Sequence, residues 1–381
     1  MILLKNIEVF SPKYIGIKDV LISGNKIEKI NDQIEDNILF ETIDCTNKKL
    51  VPGFIDNHVH IIGGGGEGSF RSRAPEIYLS ELIYGGITTV CGLLGTDSET
   101  RSIENLVAKT YSLREEGISA YCFTGSYGYP SITLTNSLKK DITFIDPIIG
   151  TKIAINDHRS ASITNSELAR LSSDTRVSAM ISGKSGVVIA HMGDGKRNLK
   201  QIREVIENSD IPITTIHPTH VNRKKELLKE SYEYAKIGGY IDISAGYIDD
   251  DTETSVLSAI NNSIRKNIPQ NRITISSDGQ GSWSNYDSDG NLINMGVASV
   301  DILFKEFKNL IDNDYSIEDA LIYFTSNVAD SFNFKNKGYI KEDKDADLII
   351  LDNDNNIDSV ITLGKFMLKE KELIRKGTYE I

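Results

Sequence analysis

Cysteine is scarce in this chain, with only three among 381 residues. Cys45, Cys91 and Cys122 lie far apart and two sit in apolar, strand-like runs, so they read as small hydrophobes in a reducing compartment, not as a disulfide framework. No apolar run approaches the roughly 20 residues that a spanning helix needs. Met1-Ile2-Leu3-Leu4-Lys5 is too short for the apolar core of a signal peptide, and a cytoplasmic protein with no membrane partner is expected. An excess of basic residues is also missing. Lys and Arg number 42 against 54 Asp and Glu, a net charge of -12, which argues against nucleic acid or an anionic membrane surface as partner. A small zwitterionic substrate stays open, because a few residues set the charge of a pocket. Hydrophobic residues at 39% and charged residues at 25% are those of an ordinary globular protein. Histidine is scarce too, six in all, so where each one falls carries information.

What is present suits a large barrel with an appended domain. Leu3–Val9, Val20–Ser23 and Lys26–Ile30 read as short strands separated by Ser-Pro-Lys and Ser-Gly-Asn turns. From Val51 the rhythm becomes apolar strand, polar loop and amphipathic helix, repeated. Strands are expected to end at His58/His60, Thr88–Leu94, Ala120–Thr124, Gly150–Ile155, Val187–His191, Ile213–His220, Tyr240–Ser244 and Ile273–Asp278. Helical spacing marks Ser102–Glu116, Lys196–Asn208, Arg223–Ile237 and Thr252–Lys266. Eight βα units predict an α/β fold, a (β/α)₈ TIM-type barrel, closed by a helix-rich stretch over Ala298–Phe332. Strand character returns at Ala346–Leu351, Val360–Leu363 and Lys365–Leu368. The expected division is a small β-sandwich-like domain from residues 1–50 and 335–381, beside a barrel of residues 51–334.

Barrels of this kind work at the carboxyl ends of their strands. His58 and His60, two apart on one strand, project side by side as half of a transition-metal site. Strand 4, Thr151-Lys152-Ile153-Ala154-Ile155, holds a lysine inside an apolar run, strands 5 and 6 end in His191 and His220, and strand 8 ends in Asp278. Taken singly, each has a bland explanation: a half-buried histidine, a snorkelling lysine, an N-capping aspartate. Together on one barrel they point to metal. Neutral imidazoles and carboxylates bind divalent ions, which bring bound water to a pKa of about 7. Four histidines and one aspartate overfill one tetrahedral ion but fit two, given an anionic bridge. Burial lowers the pKa of a lysine, and the neutral amine of Lys152 could take up CO₂ to become a carbamate with one oxygen for each ion.

At this point the chain resembles the amidohydrolase superfamily and, over essentially its whole length, the isoaspartyl (β-aspartyl) dipeptidase family. The metal residues mark only the superfamily. The narrower resemblance rests on Ile62-Gly63-Gly64-Gly65-Gly66-Glu67, Thr124-Gly125-Ser126-Tyr127, Asp157-His158-Arg159-Ser160, Pro218-Thr219-His220-Val221-Asn222-Arg223 and Ser276-Ser277-Asp278-Gly279. It implies hydrolysis of the isopeptide bond of β-aspartyl dipeptides by two divalent ions, zinc foremost. His58, His60 and Asp278 would hold one ion, His191 and His220 the other, and carbamylated Lys152 would bridge them. A hydroxide shared by the ions would attack the side-chain amide, and Asp278 would carry the proton to the leaving amine. The resemblance places the strand-6 ligand at His220, leaving His217 structural, and His158 reads as structural as well. It also implies a homo-oligomer, an octamer.

Charge matches such a substrate. A β-aspartyl dipeptide offers one ammonium and two carboxylates. Glu67, at the end of a glycine loop, suits the ammonium, and Arg159 and Arg223 suit the carboxylates. Tyr127 suits the developing oxyanion and Ser282 the α-carboxylate, while the resemblance adds Gly65 and Thr96 as substrate contacts. The alternative is a cyclic-amide hydrolase of the dihydroorotase or hydantoinase kind, with the same metal site but no use for Glu67 paired with two arginines. Gly128-Tyr129-Pro130 and the surroundings of Trp283 depart from the family pattern and bear on the preferred leaving residue.

Overall fold

A computed structural model describes residues 1–246, 252–286 and 292–380 of the protein. The chain opens with β1 (Ile2–Phe10), β2 (Tyr14–Ser23), β3 (Lys26–Asn31), β4 (Glu41–Asp44) and β5 (Lys49–Pro52). Eight strands follow, β6 (Phe54–Val59), β7 (Ile87–Gly92), β8 (Ser119–Gly125), β9 (Ile148–Ile155), β10 (Val187–Met192), β11 (Ile216–Thr219), β12 (Ile241–Ser244) and β13 (Ile273–Ser276). Between them run α1 (Leu79–Tyr84), α2 (Ile103–Glu116), α3 (Leu138–Phe144), α4 (Asn165–Ser182), α5 (Lys200–Glu207), α6 (Lys225–Lys236) and α7 (Val256–Arg265). A hairpin of β14 (Ser282–Tyr286) and β15 (Leu292–Val297) precedes α8 (Ile302–Asp312), α9 (Ile317–Leu321) and α10 (Ser326–Ser331). The chain finishes with β16 (Leu348–Leu351), β17 (Ile357–Thr362), β18 (Lys365–Lys369) and β19 (Glu372–Leu373).

β6 to β11 form one parallel sheet in sequence order, β12 and β13 pair in parallel, and Val59 bridges Gly279 to bring the last strand back to the first. This is the expected TIM-type barrel. β6, β7, β9 and β10 are buried at every position, as parallel strands between a packed interior and an outer helix layer must be. Local signals fix the helix ends. Ser102 accepts from the Asn105 N–H at the start of α2, and Gly117 ends it in the left-handed region. Thr164 and Glu167 form a capping box on α4.

Both chain ends share one nine-stranded sheet ordered β19-β18-β17-β16-β5-β1-β2-β3, with β4 beside β1. β16 pairs antiparallel with β5, the strand that leads directly into β6, so this sheet is joined rigidly to the barrel. Its core includes Leu4, Ile7, Val20 and Ile22 from one end and Leu348, Ile350 and Ile361 from the other.

Several boundaries differ from the sequence reading. The sixth barrel strand covers only Ile216–Thr219, because a 3-10 turn occupies Ile213–Thr215 and His220 turns out of line at φ 60°. The eighth ends at Ser276, with Asp278 at φ 52°. α5 starts at Lys200, not Lys196, and α7 starts at Val256 after a 3-10 turn at Thr252–Thr254. The β14–β15 hairpin was not expected.

Candidate metal and substrate site

The carboxyl ends of the barrel strands bring the expected residues together. Asp56, His58 and His60 fall on one face of β6 and its extension, by strand alternation. His58 Nε2 lies 3.5 Å and His60 Nε2 3.3 Å from Asp278 Oδ1, and His220 Nδ1 lies 3.8 Å from Asp278 Oδ2. One donor atom each from His58, His220 and Asp278 fit within 4.8 Å of one another. Lys152, fully buried on β9, places Nζ 2.9 Å from His58 Nε2. Asp278 and His220 both occupy the left-handed region, uncommon for residues other than glycine, and such strain tends to gather at working sites.

The cluster fits a divalent cation. Asp278 Oδ1, which faces the Nε2 atoms of His58 and His60, is buried without a hydrogen-bond partner, a costly state for a group of this kind. Burial pushes His58, His191 and His220 well below the usual imidazole range, so they are neutral and hold lone pairs for a metal. Burial also pulls the Lys152 ammonium down to about 7, against the opposing pull of Asp278 and Asp242, so a neutral amine is accessible.

His191 joins the cluster with its ring 4.6 Å from that of His220, yet both its nitrogens face protein groups. Nδ1 lies 2.8 Å from the Tyr127 hydroxyl and Nε2 lies 3.1 Å from Asp157 Oδ2. His217 points elsewhere, 3.3 Å from Thr274 Oγ1 and packed near Phe332, with burial holding it down at about 3.

The recognition residues form a second layer. Arg159 Nη1 donates to Glu67 Oε1 at 3.2 Å, and the Thr96 and Ser282 hydroxyls donate to Glu67 at 3.2 Å and 2.9 Å. The glycine loop permits this approach. Gly65 sits at φ +87°, and a Cβ there would lie 2.1 Å from the Ser72 carbonyl oxygen. Tyr127 is buried with its ring 5.2 Å from the Arg159 guanidinium, and burial raises its phenol. Arg223 reaches within 3.7 Å of Asp157 Oδ2. One cleft is lined by Gly65, Glu67, Thr96, Tyr127, Arg159, Arg223 and Ser282 together with His60, His191 and Asp278. His158 is turned outward, with its side chain 76% exposed.

Three acids in the neighbourhood were not singled out from sequence. Asp157 accepts from Arg159 Nε and Nη2 at 2.9 and 2.8 Å and from His191. Burial would raise its carboxyl, but the hydrogen bonds from Arg159 and His191 override that and hold it well below the usual range. Its place two residues before Arg159 was the available signal. Below the cluster, Asp242 accepts from Thr219, Thr274, Ser276 and Asn57, and burial pushes it up to about 6. Burial pushes Asp56, which accepts from the Ser277 N–H, up to about 7. Both acids interrupt apolar strands, which was their sequence signal.

Residues 50–367 match the amidohydrolase family. A solved β-aspartyl dipeptidase from Fervidobacterium islandicum AW-1, in complex with β-Asp-Leu dipeptide, is 41% identical, with 98% of each chain covered and a TM-score of 0.92. A dihydropyrimidinase from Brevibacillus agri NCHU1002 shares the fold at 17% identity, covering 98% of this chain and 96% of its own, with a TM-score of 0.68. A curated dihydroorotase from Elusimicrobium minutum (strain Pei191) is 36% identical over 106 residues, 27% of this chain. The chain thus spans about a quarter, 24%, of that relative's length. Among the described residues no helix is long and apolar enough to cross a membrane.

Proposed function

The chain belongs to the amidohydrolase family, and on that basis we propose that it hydrolyses the isopeptide bond of β-aspartyl dipeptides. The observation that carries the reading is Glu67 held against Arg159, with Arg223 nearby, in the cleft that also contains the histidine–aspartate cluster. A β-aspartyl dipeptide supplies counter-charges to both signs, its ammonium to Glu67 and its carboxylates to the guanidiniums. A dihydroorotate-like ring carries a carboxylate but no ammonium, and would give Glu67 no cationic group of its own to bind. The likeness to the Fervidobacterium islandicum β-aspartyl dipeptidase in complex with β-Asp-Leu supports the same choice.

Two divalent ions, zinc foremost among those that imidazole and carboxylate admit, would be held by His58, His60, His191, His220 and Asp278 together with a carbamate on Lys152. When bound, they supply Lewis acidity, polarising the amide carbonyl and acidifying water near neutral pH. The Tyr127 hydroxyl, 2.8 Å from His191 Nδ1, is the donor for the oxygen that gains charge in the transition state. Asp278, with Oδ1 free of hydrogen bonds, accepts the proton from water and delivers it to the leaving nitrogen. Glu67 and the arginines orient the substrate, so their binding energy aligns the amide with these groups.

The test is hydrolysis of β-Asp-Leu, α-Asp-Leu and dihydroorotate by one purified sample of measured metal content. Cleavage of the β-linked peptide alone, with near two divalent ions per chain, is expected. Turnover of dihydroorotate instead would replace this reading with the cyclic-amide one.

A further inference from the structure

Asp157 has no part in the chemistry above, yet its carboxylate is more completely enclosed than either guanidinium it serves. Its side chain is 1% exposed, against 24% for Arg159 and 17% for Arg223. Oδ1 accepts from the Arg159 backbone N–H at 2.8 Å and from Arg159 Nε at 2.9 Å. Oδ2 accepts from Arg159 Nη2 at 2.8 Å and from His191 Nε2 at 3.1 Å. We infer that Asp157 is the positioning residue of this site, acting through Arg159 to fix substrate affinity and through His191 to fix the orientation of that imidazole. The inference rests on the proposed function.

A guanidinium has more than one donor edge and can grip a carboxylate with any of them. Here the Nε–Nη2 edge is consumed by Asp157. That leaves the Nη1–Nη2 end of the group, where Nη1 meets Glu67 Oε1 at 3.2 Å and Thr96 Oγ1 at 3.5 Å. Arg159 therefore offers a substrate carboxylate one end in one direction, and the cost of ordering a long side chain is met before binding. The backbone bond from Arg159 N closes the Asp157–Arg159 segment on itself, so guanidinium and carboxylate move as a unit.

The link to His191 follows from donor logic. A carboxylate only accepts, so the imidazole nitrogen facing Asp157 carries the hydrogen and Nε2 is the protonated position. That leaves the Nδ1 lone pair facing the Tyr127 hydroxyl. Metal-binding histidines are commonly held in this way by a carboxylate behind them. One acid thus couples the group that recognises substrate to the group at the reaction centre.

The experiment is a double-mutant cycle in KM and kcat for β-Asp-Leu, with L-aspartate binding followed by calorimetry on the same metal-loaded proteins. Asp157→Asn keeps shape but puts an N–H where Arg159 needs an acceptor. It is expected to raise KM by about ten-fold or more in the wild-type background. In an Arg159→Met background the same change should raise KM less than two-fold, because the group it acts through is gone. L-aspartate affinity should follow the same pattern, which damage to the fold alone would not produce. An unchanged KM, or the same increase in both backgrounds, overturns the inference. Should Asp157→Asn fail to fold, Asp157→Glu, which keeps the charge but displaces it by one methylene, is read in the same two backgrounds. Wild-type protein that leaves β-Asp-Leu intact overturns the functional reading and this inference with it. Cleavage by wild type without a background-dependent effect overturns the inference alone.

Discussion

Replacing Lys152 with methionine should stabilise the metal-free protein while abolishing its activity. Lys152 is fully buried, and burial drags its ammonium from 10.5 to about 7. At about 1.4 kcal/mol per pH unit, that fall amounts to roughly 5 kcal/mol of stability given up to hold an amine there. Methionine has similar volume and opens no cavity. It forfeits the 2.9 Å contact with His58 Nε2, worth about 1 kcal/mol. The net expectation is a gain of about 3–4 kcal/mol near neutral pH. The sign with pH follows from linkage. Between about 7 and about 10.5 the unfolded lysine binds a proton that the folded one does not, so wild-type stability falls as pH drops through that window and is level below it. The advantage of Lys152→Met should therefore be full at pH 6.5 and fade above pH 10. Urea unfolding midpoints of chelator-treated, CO₂-depleted protein at those two pH values provide the assay. The loaded variant should lose at least about 100-fold in kcat/KM, because the group proposed to join the two ions is gone. A variant less stable than wild type, or an advantage that does not shrink in alkali, would refute the reasoning and make Lys152 a structural residue.

Glu67→Gln keeps shape and removes charge. It should cost about 1.5–3 kcal/mol in kcat/KM for β-Asp-Leu, the worth of one charge-assisted hydrogen bond. The same variant should show almost no loss, relative to wild type, on the N-acetylated peptide, and an equal loss on both would sink the ammonium assignment. Tyr127→Phe should lower kcat by about 10²–10³-fold with little change in KM, as removal of one oxyanion donor does, and steady-state kinetics beside metal analysis will separate this from loss of a His191 partner. Lys337, buried between Asp345, Asp347 and the Ser119 hydroxyl, ties the terminal sheet to the barrel. Lys337→Met should destabilise by about 3–5 kcal/mol, because it strands the buried Asp347 carboxylate, whereas Asp345 keeps Lys26. Burial would lower the Lys337 ammonium, but Asp347 and Asp345 raise it to about 12, so its contribution is complete below about 10.5 and is lost as pH rises through 12. Burial would raise Asp345, but Lys337 lowers it, so that contribution is complete above the usual carboxylate range and lost as pH falls through its lowered value. Thermal unfolding across pH will show whether the variant flattens both arms.

The barrel was legible because a parallel strand buried on both faces is written as a short, nearly continuous apolar run, and eight such runs alternate with helical spacing. Ligand candidates were legible for the opposite reason. Histidine, lysine or aspartate at the end of such a run contradicts burial, and His58, Lys152, His191 and Asp278 each do so. The hairpin of β14 and β15 was not legible, since Ser282–Tyr286 alternates weakly and its packing partner lies far off, at the glycine loop. There Met295 closes on Gly68, and Trp283 lies across Gly296. Helix starts were misplaced for local reasons. α5 begins at Lys200 because Asn198 takes a positive φ, and propensity alone does not report that. Asp157, named only within the Asp157-His158-Arg159-Ser160 segment, carries no role in the sequence reading because a short acidic residue after a strand usually caps or turns the chain. Its value lies in partners, Arg159 and His191, that only the folded barrel brings to it.

The distribution of unfavourable groups argues that the cluster is a working site and not an accident of packing. Lys152, Asp56 and Asp242 are buried ionisable groups whose charged forms are disfavoured, and His220 and Asp278 hold backbone conformations that cost energy. All five gather at or just below the carboxyl end of one barrel. Away from that end, the buried charge at Lys337 meets two carboxylates and a hydroxyl and is held in its charged state. A fold that satisfies its structural ion cluster this fully does not tolerate buried acids and an amine through poor packing. Asp242 and Asp56 are hydrogen-bonded by their neighbours, but the buried Lys152 amine and the strained His220 and Asp278 mark a place where something else completes the balance. The orphaned Asp278 Oδ1, facing the Nε2 atoms of His58 and His60, fits a cation there. Glu67 and Arg159, paired in the same cleft, are the feature on which the proposed substrate, one that carries both charges, rests.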